Sequence, residues 1–313
     1  MRLVRHLCDM PHGLLEQGSV VTIGAYDGLH LGHRQLLHRV IDTARSRVLP
    51  SVVMSFEPTP KEFFSVDSPP ARLMRFREKF LALQAADIDV FFCPIFDEAM
   101  RDISAADFIR RILVHGLQAR HLVIGDDFRF ARRREGNLDQ LERAGAALDY
   151  SVERVPSVVV DETRVSSTAI RNALADGDDE LATRLLGRPY RMSGRVVGGE
   201  QLGRELGYPT ANVDLRRRQS AVMGIYAVRV YGLDGRVLDG VASVGSRPTF
   251  GGVRPLLEVN IFDFDEDIYG RFIEVEFIRR LRTQIKFDSA DALIEQMHQD
   301  ADNARAVLAK LAA

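Results

Sequence analysis

The sequence predicts an α/β domain built on a parallel sheet, then a small all-β domain, then a closing helix. Three observations carry this. Over roughly the first 175 residues, apolar β-branched runs of strand length alternate with amphipathic stretches, the pattern of a parallel sheet with helices on both faces. Helical signals stop after Leu186, and short strands between Gly, Pro and Asp turns replace them. A final amphipathic stretch at 289–311 has Ser289 placed as an N-cap ahead of Asp291 and Ala292. At roughly 100–200 residues per domain, a chain of 313 residues fits two domains, with the boundary near residue 186.

Taken in order, strands are expected at 20–25, 52–56, 90–94, 121–125 and 150–155. The helices between them fall at 31–45, 72–85, 105–114 and 138–147. After a GRPY turn at 187–190, strands are expected at 190–197, 225–231, 237–244, 256–262 and 272–278. Asp234-Gly235 and Tyr269-Gly270 mark turns among them, as in a small sandwich or barrel. In open parallel sheets, ligands sit at the carboxyl ends of strands, so the segments after each early strand are searched first.

Composition removes several functional classes. With 46% hydrophobic and 27% charged residues, the chain is a folded soluble protein rather than a disordered one. Its 42 basic and 44 acidic residues leave a net charge of -2, which disfavours bulk nucleic-acid binding but leaves small anionic ligands open. Cys8 and Cys93 are the only cysteines, which excludes a disulfide scaffold and a cysteine-rich zinc site and suits a reducing cytoplasm. The opening MRLVRHLCDMPHG lacks the apolar core of a signal peptide, and no apolar run approaches the ~20 residues of a membrane span. A cytoplasmic protein without membrane or nucleic-acid partners is expected; oligomeric state is not legible.

The sharpest local signal is GAYDGLHLGH at 24–33, where a buried strand ends and a helix begins. A helix N-terminus offers free N–H groups and the positive end of a dipole to a phosphate. Gly24, Gly28 and Gly32 are small, Tyr26 and Asp27 lie in the turn, and His30 and His33 share one face of the first helical turn. Two imidazole donors there can hold nucleotide phosphates and stabilise a departing pyrophosphate. A zinc pair would need further ligands, and no Cys/His cluster supplies them. The segment is neither a Walker loop nor a GxGxxG fingerprint; its HxGH spacing resembles the nucleotidyltransferase superfamily.

A second phosphate candidate is SSTAIR at 166–171. Ser166 or Ser167 can cap the helix that starts there, Thr168 adds a hydroxyl, and Arg171 follows one turn later. Alone, the string reads more readily as a plain helix cap; beside HxGH it matches that superfamily's partner segment. FEPTPKEFF at 56–64 follows the second strand, with Pro58 and Pro60 stiffening it and Phe64 among the rings that could wall a flat ligand, although on its residues alone a packed loop is the favoured reading. GDDFRF at 125–130 follows the fourth strand, with Asp127 open to ligand or metal and Arg129 and Arg132–Arg134 open to a phosphorylated substrate or to solvent.

In the second half, the run 199–212 carries Gly199, Gly203, Arg204 and Gly207 in a loop able to wrap phosphates. Thr210 and Asn212 stand two residues apart, on one side if the segment is extended, and their oxygens suit Mg²⁺ shared with nucleotide phosphates. Glu258 lies in an apolar strand and is either a solvated residue or an inward functional one.

With GRELGYPTAN at 203–212, GVASVGSRPTF at 240–250, Leu257-Glu258-Val259 and DIYG at 267–270, the chain resembles the bacterial bifunctional riboflavin kinase/FAD synthetase family over essentially its whole length. The resemblance implies a doubly wound nucleotidyltransferase domain at 1–186 and a six-stranded β-barrel kinase domain at 187–313. It implies riboflavin, FMN and ATP as substrates, Mg²⁺ with ATP, and FAD and pyrophosphate among the products. It assigns His30 and His33 to ATP phosphates in adenylyl transfer, with Gly24, Tyr26, Asp27 and Gly32 around them. Ser166, Ser167, Thr168 and Arg171 would hold the other side of the nucleotide. Pro58, Pro60, Phe64 and Asp127 would lie at the flavin. Thr210 and Asn212 would bind Mg-ATP in the kinase, and Glu258 would be the base for the ribityl hydroxyl. Departures from the family pattern are Ala25 and Asp127 for Asn, Ala131 for Gly, Gly198 and Asn260 for His, and Met223 for Pro. Two competing readings are a nucleotidyltransferase for another phosphorylated acceptor and a flavin-binding regulator without activity.

Overall fold

The computed structural model describes residues 1–199, 207–249 and 252–311, so Gly203 and Arg204 lie outside the described residues. Two compact units divide the chain: 1–70 with 74–166, and 71–73 with 167–313.

The first unit runs β1 (Arg2–Val4), β2 (Ser19–Ile23), α1 (Leu31–Arg47), β3 (Ser51–Met54), α2 (Pro60–Phe64), α3 (Phe76–Ala85) and β4 (Val90–Phe92). It continues through α4 (Glu98–Asp102), α5 (Ala105–Asp107), a π-wound segment (Phe108–Gly116), β5 (Ala119–Gly125), α6 (Leu138–Leu148) and β6 (Ser151–Val155), and ends in the hairpin β7 (Val159–Val160) and β8 (Thr163–Arg164). The six-stranded sheet has the order β1-β4-β3-β2-β5-β6 and every pairing in it is parallel. Most of its buried strand positions are apolar, with Ser19, Thr22 and Ser51 among the buried polar exceptions. Val21, Val52, Phe92 and Leu122 pack on one face with Phe108, Leu113 and Leu141, while Val20, Val53, Phe91 and Val123 pack on the other with Leu37, Val40 and Leu83. Side chains alternate between the faces of a strand, so a sheet buried on both sides reads as continuous apolar runs.

Strand order reverses between β2 and β5, and ligands bind at the carboxyl ends beside such a switch point. The helix expected from 72 starts at Phe76, because the Glu78 carboxylate accepts the Arg75 N–H at 2.6 Å and closes the helix start there. The helix expected at 105–114 loosens after Asp107, and Leu117 N–H reaches back five residues to the Ile112 carbonyl. β1 and the β7–β8 hairpin were not anticipated, being too short to show a period.

The second unit opens with α7 (Ser167–Asp176) and α8 (Asp179–Leu186). It continues with β9 (Tyr190–Val197), β10 (Ala211–Asp214), β11 (Gly224–Leu233), β12 (Arg236–Thr249), β13 (Gly252–Ile261), β14 (Phe272–Arg282) and α9 (Ala290–Ala309). The strands close into an antiparallel barrel in the order β10-β13-β12-β11-β14-β9. Leu257 and Val259 are buried, whereas Glu258 and Asn260 on the alternate face are half-buried. The face that carries Phe262 is covered by Ala301, Ala304 and Leu308 of α9. Ser289 caps α9 as expected, accepting the Ala292 N–H at 3.2 Å.

The compact units part between Ser166 and Ser167, so α7 and α8 stand with the barrel although the sequence pattern changes only after Leu186. The cause is local. Arg280 of β14 donates its backbone N–H to Asp179 at 2.6 Å, and its guanidinium donates to the carbonyls of Ala175 and Asp176. These bonds satisfy the carbonyl end of α7 and fasten the helix pair to the strand.

Candidate active sites

In the first unit, β2 delivers the 24–33 loop to the carboxyl edge of the sheet. Tyr26 and Leu29 adopt left-handed φ values of 49° and 45°, which such residues resist. Three contacts hold the turn in that shape. The buried Tyr26 ring places its hydroxyl 2.6 Å from the Thr22 hydroxyl, the buried Asp27 carboxylate accepts the Met74 N–H at 2.8 Å, and the Lys79 ammonium donates to the Ala25 carbonyl at 2.6 Å. Gly24 has a packing reason to be small: a Cβ there would lie 3.1 Å from the Tyr26 ring.

His30 is the N-cap of α1, and its Nδ1 accepts the His33 N–H at 3.3 Å. That bond leaves the proton of a neutral His30 on Nε2, so Nε2 is the donor. The His30 and His33 rings stack, 3.6 Å between centroids and 15° from parallel, with Tyr26 tilted against His33 at 4.9 Å. Two imidazolium rings at that spacing would repel. Burial, then His30, then the Lys79 charge hold His33 well below the usual imidazole range. His33 Nδ1 is buried without a hydrogen-bond partner among the described residues. The pair is therefore a fixed set of polar groups at the start of a helix, with His33 held toward its neutral form.

The segment after β3 folds from its own residues. Thr59 and Glu62 form a capping box and Pro60 fills the first turn of α2, so the expected loop is a short helix. Phe63 and Phe64 pack edge-on against Phe96, as does Phe56, and Phe64 stays 64% exposed, which leaves a ring face available at the surface. Phe96, four residues past β4, was missed because no motif announces it. After β5, Asp127 pairs with Arg164 at 2.6 Å while Asp126 accepts from Ser157. Arg132 pairs with Glu135, and Arg132–Arg134 form one exposed turn.

In the second unit, α7 begins at Ser167, with Ser166 just before it and Thr168 and Arg171 in its first turns. Arg171 Nε donates to the Ala71 carbonyl at 2.6 Å.

The barrel holds a cavity of about 570 Å³ whose lining includes Thr210, Ser243, Glu258, Asn260, Lys286 and Met297. Strand register builds its polar wall. Glu258 stands opposite Asn212 on one neighbouring strand and opposite Ser243 on the other, and residues directly opposite share a face. A Cβ at Gly199 would sit 2.2 Å from the Asn212 side-chain amide, so a larger residue there would displace that amide. Asn260 donates to the Pro209 carbonyl at 2.8 Å, next to Thr210, and the Tyr208 hydroxyl bonds to His298 of α9. Arg282 and Asp300 form a largely buried bidentate pair that fixes α9 over the cavity. Gly207 is exposed with φ 83° and adjoins this loop.

Comparison with known proteins agrees with this two-part geometry. The FAD synthetase family matches residues 14–169 and the riboflavin kinase family matches residues 186–308. A Haemophilus influenzae protein named bifunctional riboflavin kinase/FMN adenylyltransferase is 44% identical over 306 residues, covering 98% of this chain and 99% of its own length. The chain belongs to the bifunctional riboflavin kinase/FMN adenylyltransferase family. An Escherichia coli K12 protein of that same name is also 44% identical, with 97% of each chain covered. A crystal structure from Streptococcus pneumoniae, described as a macrolide-efflux protein, superposes with a TM-score of 0.81 at 31% identity, covering 97% of this chain and 98% of that one. No helix among the described residues is long and apolar enough to cross a membrane. In this family member, the two matched segments leave most of α7 and of α8 between them.

Proposed function

We propose that this protein makes FAD from riboflavin in two steps, each with its own set of polar groups. The observation that carries the reading is the pairing of two different polar sites in one chain: an HxGH turn at a sheet switch point, and a Glu-bearing cavity in a barrel.

In the barrel, the 5′-hydroxyl of riboflavin attacks the γ-phosphorus of ATP. The O–P bond forms, the γ-phosphoryl bond to ADP breaks, and the hydroxyl proton passes to Glu258. A hydroxyl is a weak nucleophile near neutral pH, so a carboxylate facing the cavity suits this step. Thr210 and Glu258 supply hard oxygen donors in the cavity lining, and Asn212 stands opposite Glu258 on the neighbouring strand, a set that suits Mg²⁺ held partly by substrate phosphates. When bound there, Mg²⁺ neutralises phosphate charge. Gly199 and Gly207, with Gly203 and Arg204, are assigned to the kinase's ATP.

In the sheet unit, the FMN phosphate attacks the α-phosphorus of a second ATP and pyrophosphate leaves. A phosphate is already ionised near pH 7, so the step needs no general base and depends on positioning and charge stabilisation. His30 and His33 serve as imidazole donors to the phosphates, within the frame of Gly24, Tyr26, Asp27 and Gly32. Ser166, Ser167, Thr168 and Arg171 are assigned to the nucleotide from their motif. Pro58, Pro60, Phe64 and Asp127 are assigned to the flavin; the Arg164 ion pair would have to open or be shared for Asp127 to reach it. Cys8 and Cys93 form no disulfide, which suits a reducing compartment, and we place the enzyme in the cytoplasm.

The test is incubation with riboflavin and Mg-ATP followed by chromatography of the flavins. FMN and FAD together are expected. FMN alone would contradict the adenylyltransferase assignment, and no product would point to a binding protein.

A further inference from the structure

Helix α3 turns Lys79 and Leu83 inward, and Lys79 is only 3% exposed. Lysine is seldom buried, and a methionine or leucine would fill this slot of an apolar face without the cost of desolvating an ammonium. The ammonium lies between the ends of two adjacent strands. It donates to the Ala25 carbonyl, two residues past β2, at 2.6 Å and to the Ser55 hydroxyl, one residue past β3, at 3.3 Å. The Ser55 hydroxyl also reaches the Ala25 carbonyl at 3.3 Å. Ala25 is the residue before Tyr26, whose ring lies against His33.

We propose that Lys79 is a positioning residue for adenylyl transfer, clamping the end of β2 to the end of β3 beside the turn that carries the His30–His33 pair. This rests on the assignment of adenylyl transfer to the 24–33 loop. The clamp has two consequences. It restrains the left-handed turn at Tyr26, and with it the direction in which His30 Nε2 and the His33 ring point. It also places a positive charge where it opposes protonation of His33, whose facing groups are His30, Tyr26 and Lys79 itself. A neutral, oriented imidazole donates from a fixed nitrogen, whereas an imidazolium would lose the bond that Nδ1 of His30 accepts from the His33 backbone.

The test uses the full chain with Lys79→Met, Lys79→Gln and Ser55→Ala. FAD formation from FMN is assayed for kcat and KM, riboflavin phosphorylation in the same preparation is the internal control, and the histidine Cε1–H signals are followed by NMR as pH is varied. For Lys79→Met, kcat for FAD formation should fall about 10- to 100-fold, the loss typical of a small misplacement at a reacting site, while KM for FMN changes less than about twofold. The His33 signal should titrate closer to the ordinary imidazole range, and phosphorylation should be unchanged. Lys79→Gln restores a donor to Ala25 without the charge, so it should recover part of kcat while His33 still titrates high. Ser55→Ala should have a smaller effect of the same kind. A folded Lys79→Met protein with wild-type kcat and an unmoved His33 titration overturns the proposal. If Lys79→Met does not fold, wild-type kcat and titration in Lys79→Gln overturn it instead. Normal FAD formation by His33→Ala would reject the site assignment itself, a result separable from failure of the Lys79 role.

Discussion

The sheet unit and the barrel unit both handle ATP, yet they build their sites in opposite ways. The first concentrates its polar groups in ten consecutive residues, 24–33, bent by two left-handed non-glycine residues and locked by contacts from Thr22, Met74 and Lys79. The second spreads its groups over separate strands and lets register align them, with Ser243, Glu258 and Asn212 side by side. The chemistry differs in parallel. The proposed nucleophile at the sheet is an ionised phosphate, and the site offers imidazole donors; at the barrel it is a hydroxyl, and the site offers a carboxylate. A shared substrate therefore does not dictate a shared site; the protonation of the attacking group does.

The comparison is sharpened first at Glu258, where the largest effect is expected. Glu258→Gln keeps the shape and removes the base. Kinase kcat should fall about 10²–10⁴-fold, with KM for riboflavin far less affected, as steady-state assays of FMN formation will show. A loss below about threefold, with chemistry shown to limit turnover, would reduce Glu258 to a lining residue.

Next come the imidazoles. His30→Ala or His33→Ala should lower FAD formation from FMN by about 10²–10³-fold, the usual loss on removing a preorganised donor, while riboflavin phosphorylation continues. Either variant with near-normal adenylyl transfer would remove the loop from the mechanism.

Smaller effects test the division between the units. A fragment of residues 187–313 should still phosphorylate riboflavin. It lacks the Asp179 carboxylate and the carbonyls that Arg280 uses, so it should unfold at a lower temperature than a fragment of 167–313. Losing hydrogen bonds to charged groups at about 1.5–3 kcal/mol, and roughly 2–4 °C per kcal/mol at this size, the gap should be at least about 3 °C by circular dichroism. Equal midpoints would mean that α7 and α8 add nothing to the barrel.

The smallest effect is a pH dependence of stability. His33 is held well below the ordinary imidazole range, so the unfolded chain binds a proton there that the native protein refuses. Stability is therefore kept above about pH 6.5 and lost as pH falls below it, by up to about 1.4 kcal/mol per pH unit for one group. Urea unfolding of the wild type between pH 7 and 5 should show this slope, and His33→Asn should flatten it; an unchanged slope assigns the dependence to other groups such as His121.

Much of this was legible in the residues. The sheet strands were readable because burial on both faces makes them continuous apolar runs, and the HxGH turn because its groups are contiguous. The barrel strands were visible as short runs between turns, but β10 was not, since Ala211–Asp214 carries its motif rather than a period. Glu258 could be placed on a strand but not on a face that mattered, because register with Asn212 and Ser243 is a tertiary fact. Lys79 and Phe96 were silent: one sits in an apolar helical slot, and the other gains its meaning from Phe56, Phe63 and Phe64, which lie far away in sequence. The position of the division at Ser166 depends on Arg280, more than a hundred residues further along the chain.

The central claim is that two reactions run on two separable sets of groups, and crossed flavin profiles test it most directly. His33→Ala and Glu258→Gln are each given riboflavin with Mg-ATP, and separately FMN with Mg-ATP, and the flavins are chromatographed. The account predicts that His33→Ala converts riboflavin to FMN and stops there, and that Glu258→Gln leaves riboflavin largely untouched but converts supplied FMN to FAD. A single substitution that removes both products, or two variants that both carry riboflavin through to FAD at the wild-type rate, would contradict it.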